Sequence, residues 1–288
     1  KGGITSGVVY PHAIAEIARD YRLRNIGGTS AGAIAASFAA AAEYRRQAGG
    51  GSDCTGYDAV GALADELGKT MQSMFQPTDA LKPLFDIVIA TVTENARDKN
   101  KLVVAIAAAL RVYDVRIELA VVALSFIGCL AWVNGNIWIF FFGLLATVLV
   151  VAISILLSLW RLVTRDLPAQ DFGICPGTTQ PGHTGQGFAD WIADKIDFIA
   201  GNLGEDGKPG KPLTVGQLRA HDIQVATMTT DLSSGRPYQL PLQTSIHYFS
   251  KEEFEGIFPK RVVDYLTAKG GALRHEDPTA PCDLYRLP

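Results

Sequence analysis

Apolar positions change rhythm along this chain, and each change predicts a different element. After Gly7, the residues Ile14, Ile17, Ala18 and Tyr21 recur every three to four positions behind Pro11, which predicts a helix whose first turn tolerates the missing proline N–H. Asn25-Ile26-Gly27 predicts a short strand. The alanine-rich stretch from Ala33 to Tyr44 predicts a closely packed helix, because alanine is the best helix former and its small side chain suits burial against a sheet. Arg45 and Arg46 suit the last turn of that helix, and Gly49 to Gly51 ends it. Asp58 to about Met74 reads as an amphipathic helix, Pro77 and Pro83 break the pattern, and 84–112 reads as helical again.

The middle of the chain then loses its polar face. Leu119 to Val133 is apolar apart from Ser125, Asn134-Gly135-Asn136 marks a turn, and Ile137 to Trp160 runs 24 residues without a charge. About 20 residues at 1.5 Å rise cross a ~30 Å hydrocarbon core, so the second run is long enough to span a bilayer and the first, at 15 residues, is marginal. Trp132, Trp138 and Trp160 lie near the ends of the runs, where indoles favour the interface. Arg97, Lys99, Lys101, Arg111 and Arg116 precede the pair, and Arg161 and Arg165 follow it, which puts both outer ends on the cytoplasmic side. The expectation is a transmembrane helical hairpin at 113–165 between two parts of a second domain, 1–112 and 166–288. Beyond it, 166–217 is rich in glycine and proline around a helix from Phe188 to Ala200. Asp222 to Thr229 reads as a strand, Ser234-Gly235 as a turn, and Ile246 to Phe249 as a further strand.

Composition narrows the function classes. The 288 residues are 48% hydrophobic, ample for a core, and 26 Lys and Arg against 29 Asp and Glu leave no basic field of the kind that holds nucleic acid. Cys54, Cys129, Cys175 and Cys282 stand far apart, so neither a zinc site nor a disulfide framework is indicated. A first residue of Lys1 followed by Gly2-Gly3 reads as a fragment that starts inside a loop.

The candidate chemistry is concentrated near the amino end. Gly28-Thr29-Ser30-Ala31-Gly32 has the form of a nucleophile elbow, a sharp strand-to-helix turn that exposes the serine and in which flanking side chains would clash, hence Gly28 and Gly32. The turn aims Ser30 along the amino end of the next helix, whose positive end and free N–H groups favour an anionic intermediate. A second glycine cluster, Gly2-Gly3-Ile4-Thr5-Ser6-Gly7, is separated from it by one helix and one strand, so both loops belong at one sheet edge and Gly2 and Gly3 are candidate oxyanion-hole donors. No metal or cofactor is called for by this chemistry.

Gly2-Gly3, a helix, then Gly-Gly-Thr-Ser-Ala-Gly-Ala-Ile resembles the patatin-like phospholipase family, and Met228-Thr229-Thr230-Asp231-Leu232 to Gly235 resembles the strand and loop that follow the nucleophile region there. The hairpin resembles an insertion of a bacterial membrane-associated subgroup. The resemblance implies an α/β fold with a three-layer α/β/α sheet, a Ser-Asp dyad, and metal-free hydrolysis or transfer of fatty acyl groups from membrane glycerolipids at a bacterial inner membrane, with the catalytic part facing the cytoplasm. The family's dyad aspartate stands in an Asp-Gly-Gly or Asp-Gly-Ala turn late in the domain, and no such turn occurs here. Asp206-Gly207 lies in a charged loop ahead of the Ile223 strand and reads as a decoy; Asp231 reads as a turn cap. The reading therefore places the aspartate beyond Pro288 and expects little activity from these residues alone. Thr5-Ser6 stands where the family often has a basic residue. Two rivals stay open. One is a non-catalytic, membrane-anchored lipid- or partner-binding module with a degenerate hydrolase domain. The other is a triad esterase using one of His183, His221, His247 or His275.

Overall fold

The computed structural model describes residues 9–93, 114–204, 207, 210–243, 246–273 and 284–288, and the chain divides into two compact units, Lys1–Gln76 with Gly177–Pro288, and Pro77–Pro176. Both helices and strands are present, and the sheets are small.

In the first unit, α1 (Tyr10–Asp20) carries proline in its first turn as the spacing predicted, and β1 (Asn25–Gly28) leads through Thr29 and Ser30 into α2 (Ala31–Ala48). Next come α3 (Thr55–Met74) and, after the second unit, α4 (Phe188–Ala200) and α5 (Val215–Ala220). The remaining elements are β2 (Gln224–Asp231), β3 (Arg236–Leu240), β4 (Tyr248–Ser250), α6 (Lys251–Ile257), α7 (Lys260–Gly270) and β5 (Leu284–Arg286). The larger sheet has the order β1-β2-β3, with β1 parallel and β3 antiparallel to β2; β4 and β5 pair antiparallel. The strands at 25 to 27 and 222 to 229 are thus found within a residue or two, whereas β3 was not anticipated.

Two clusters hold these layers together. Phe38, Ala41 and Ala42 of α2 meet Tyr57, Val60 and Leu63 of α3 and Trp191 and Ile199 of α4. Burying each large side chain of this kind contributes about 2 to 3 kcal/mol. Ala40, Leu218 and Ile223 form the second cluster with Ile26 and Val225, which the β1–β2 register places opposite one another. The alanines let α2 lie close to the sheet. Glu66 of α3 accepts from Trp191 Nε1 at 3.0 Å and from Lys195 Nζ at 2.7 Å, so α4 is tied to α3 by polar contacts as well.

The second unit contains α8 (Lys82–Thr93), α9 (Asp114–Val133) and α10 (Ile137–Arg161). The part of the 84–112 reading beyond Thr93 lies outside the described residues. Gly135, at φ 61°, makes the turn between α9 and α10, and Asn136 caps α10 by accepting from Trp138 N at 3.0 Å. The two helices pack with small residues inward: a Cβ on Gly143 would come within 2.4 Å of Ile127, and one on Gly128 would touch Phe140. Large apolar side chains face outward, among them Phe126, Trp132, Phe142, Val150 and Leu156. The helical stretch Ile137–Gln170 is long and apolar enough to cross a membrane, and its most apolar window buries nothing within the protein.

Candidate functional site

Ser30 stands between β1 and α2 with φ 55° and ψ −130°, a conformation that L-residues seldom adopt, and it is exposed. Such strain costs about 1 to 3 kcal/mol and persists only where the surroundings enforce it. The enforcement comes from short-range backbone bonds, Gly32 N to Thr29 O at 3.0 Å and Ala33 N to Ser30 O at 2.8 Å, which close the turn directly into the helix.

The two glycines of the turn are not equivalent. A Cβ on Gly28 would lie 2.1 Å from the Gly32 carbonyl oxygen and 2.8 Å from Ala33 N, so no side chain fits there. At Gly32 an added Cβ would meet nothing within 4 Å. The expected clash at both positions is therefore corrected: it is one-sided, because Gly28 presses on the Gly32 backbone while the Cβ direction of Gly32 points into open space.

Gly2 and Gly3, the expected oxyanion-hole donors, lie outside the described residues. Of the free N–H groups at the helix amino end, that of Ala31 stands next to Ser30. This N–H, at the first position of α2, has no acceptor among the described residues and directly follows Ser30, the candidate nucleophile, where a turn of this kind places an oxyanion donor. Beside the turn lies a recess of about 530 Å³, lined by Tyr10, Ile14, Ile17, Leu23, Ala39 and Met228 among others, whose apolar character no motif announced.

Parallel pairing sets Gly28 beside Thr227, which brings the carboxyl ends of β1 and β2, with Ser30 and Asp231, to the same sheet edge. Asp231 is nevertheless committed elsewhere. Its carboxylate accepts from Ser234 Oγ at 2.6 Å and Ser233 N at 2.9 Å, and these two donors hold it below the ordinary carboxylate value. That is the turn-capping role its position suggested. Among the described residues, neither a carboxylate nor His12, His183, His221 or His247 hydrogen-bonds Ser30. His221 packs against Tyr44 and His247 against Tyr238, each at 5.2 Å between ring centres. Asp206 and His275 lie outside the described residues.

The loop entering β1 is held from below by a buried ionic cluster. Glu43, fully buried on α2, accepts from Leu23 N at 3.2 Å, Gln47 Nε2 at 2.6 Å and the Tyr57 hydroxyl, and it pairs with Arg46. Arg46 in turn donates to the carbonyls of Ala18 and Tyr21 at the end of α1. Burial alone would raise the Glu43 carboxyl, but the Tyr57, Gln47, Leu23 and Arg46 donors together bring it below its ordinary value. The Tyr57 hydroxyl is pushed up by burial and by its carboxylate partner. Among the described residues no cluster of His, Cys, Asp and Glu is arranged to hold a metal ion.

Comparison with known proteins adds one relative. The chain is 30% identical over 299 residues to a protein of Rhizobium meliloti (strain 1021) named RpoH suppressor, an alignment that covers 94% of this chain and 45% of that protein. The chain thus spans less than half the length of the relative. No protein-family model matches it, and no solved structure does.

Proposed function

We propose that this chain carries the nucleophile of a membrane-bound serine lipid-acyl hydrolase of the patatin-like type, built on a three-layer α/β/α sheet. The observation that carries the reading is the strained, exposed backbone of Ser30 between a parallel strand and a helix amino end, with Gly28 sterically obligatory behind it. In this reading Ser30 Oγ attacks an ester carbonyl and its proton passes to an aspartate outside the described residues. The oxyanion is held by the Ala31 N–H and the Gly2 and Gly3 donors, the alcohol leaves with the proton returned by the aspartate, and water, deprotonated by that aspartate, then releases the acyl group and leaves Ser30 protonated. The recess beside Gly28 and Thr29 is of a size and polarity to take an acyl chain. α9 and α10 form a membrane hairpin with the catalytic part on the cytoplasmic side. Their inverted packing, with small residues inward and large apolar ones outward, is what lipid as solvent favours.

Labelling by a fluorophosphonate tests the chemistry, using detergent-solubilised protein that continues past Pro288 to include the aspartate, beside its Ser30→Ala variant. Labelling of the unaltered protein that Ser30→Ala abolishes supports the reading. If the unaltered protein does not label, the alternative of a lipid- or partner-binding module takes its place, a reading favoured by the lack of any base bonded to Ser30 among the described residues.

A further inference from the structure

The two helices of the hairpin share one end but not one length. Contacts of Ile127 with Gly143 and of Gly128 with Phe140 fix an antiparallel register in which the two residue numbers sum to 268 to 270. Continued along both helices at equal rise, that register sets Glu118 of α9 level with about Val151 of α10. From the turn, the apolar stretch of α9 from Leu119 to Val133 extends about 22 Å, while that of α10 from Ile137 to Trp160 extends about 36 Å. Glu118 is exposed on its helix, and Leu119 beside it is 65% exposed. A carboxylate in that place, roughly 14 Å short of the charged end of α10, faces the hydrocarbon region of any bilayer that α10 spans. A charge so placed is costly in hydrocarbon, and the bilayer relieves that cost by thinning and admitting water.

We infer that the bilayer around this hairpin is lopsided: phospholipid headgroups and water descend along the α9 flank to the level of Glu118, while full-thickness lipid is kept along α10. The inference rests on the reading of the hairpin as membrane-embedded. It gives the hairpin a second role beyond anchoring, as a surface that draws headgroups inward on one side only. The partner is the phospholipid itself, engaged through its polar head by α9 and through its chains by α10.

Two positions at nearly the same height report on this. A bimane fluorophore is attached at Leu119→Cys on α9 or at Val150→Cys on α10, in the full chain with its four native cysteines replaced by serine. The protein is reconstituted in dioleoyl-phosphatidylcholine vesicles that carry a nitroxide quencher either on the headgroup or midway along the acyl chain. The expected result is preferential headgroup quenching at 119 and preferential acyl-chain quenching at 150, with Glu118→Gln shifting 119 toward acyl-chain quenching. Acyl-chain quenching at both positions with Glu118 intact overturns the inference while leaving the hairpin in the membrane. Absence of lipid quenching at both overturns the membrane reading itself.

Discussion

Gly28 and Gly32 meet so closely that the missing side chain of one is the space occupied by the backbone of the other, 2.1 Å from where a Cβ would stand. The contact is what folds the strand back into the helix, and it makes the two glycines differ in consequence. Gly28→Ala is expected to destabilise the protein by about 2 to 4 kcal/mol and to abolish fluorophosphonate labelling, because the turn must open. Gly32→Ala is expected to stay within about 1 kcal/mol of the parent and to keep labelling. Urea denaturation and probe labelling of both variants check this; equal losses would contradict the one-sided clash.

Ser30 should be a site where stability and chemistry oppose one another. Its positive φ favours glycine, so Ser30→Gly is expected to raise unfolding stability by about 1 kcal/mol after the greater chain entropy of glycine is subtracted, while labelling is lost. Ser30→Ala keeps the strain and should leave stability within about 0.5 kcal/mol. A thermal melt in which Ser30→Gly is the least stable of the three would show that the backbone is not strained there.

The Glu43 cluster predicts an acid-sensitive core. Because its donors lower the folded carboxyl below the ordinary value of 4.5, its contribution is fully present above that value and is lost as pH falls through the folded pKa. Glu43→Gln leaves Arg46 buried without its charge partner and should cost about 3 to 5 kcal/mol at neutral pH. The gap between Glu43→Gln and the parent should close on acidification below about pH 4.5, measured as urea midpoints against pH.

Asp197 predicts the opposite trend. It is 2% exposed, and burial pushes its carboxyl above the ordinary 3.8 despite the Leu213 N–H at 2.7 Å and the Arg261 guanidinium. A raised carboxyl contributes stability that is fully present below the unfolded value and is lost as pH rises through the folded pKa. Asp197→Asn is therefore expected to cost about 1 to 3 kcal/mol at acid pH and progressively less toward neutrality, by the same urea titrations. A gap that widens with pH would mean that the Arg261 contact outweighs burial.

Legibility followed the strength of each pattern. The helices at Tyr10–Asp20, Ala31–Ala48 and Phe188–Ala200 were readable because their apolar spacing or alanine content leaves one choice, and the strand-to-helix turn at Ser30 was readable because Gly28 has a steric reason. The strand Arg236–Leu240 was not, since it holds Pro237 beside the polar Arg236 and Gln239; it sits on the edge of its sheet, where a missing N–H is tolerated. The short helix Val215–Ala220 carries a capping box at Thr214 and Gln217 that was there to be found. Glu43 was illegible for a different reason. Within Ala-Ala-Glu-Tyr-Arg-Arg-Gln it looks like a solvated helix residue, and its burial is decided by Leu23 and Tyr57, which reach it from other elements.

The parallel pairing of Asn25 with Gln224 joins strands that are 199 residues apart in the chain, with the whole hydrophobic hairpin between them. At a synthesis rate of roughly 5 to 20 residues per second, the strand that pairs with Asn25–Gly28 emerges about 10 to 40 seconds after it does. The nascent protein therefore carries its serine as an unframed loop while the hydrophobic hairpin and the residues up to Gln224 are still being made. On the proposed reading, reactivity at that serine is a late property of biogenesis, acquired only after the hydrophobic hairpin has been made.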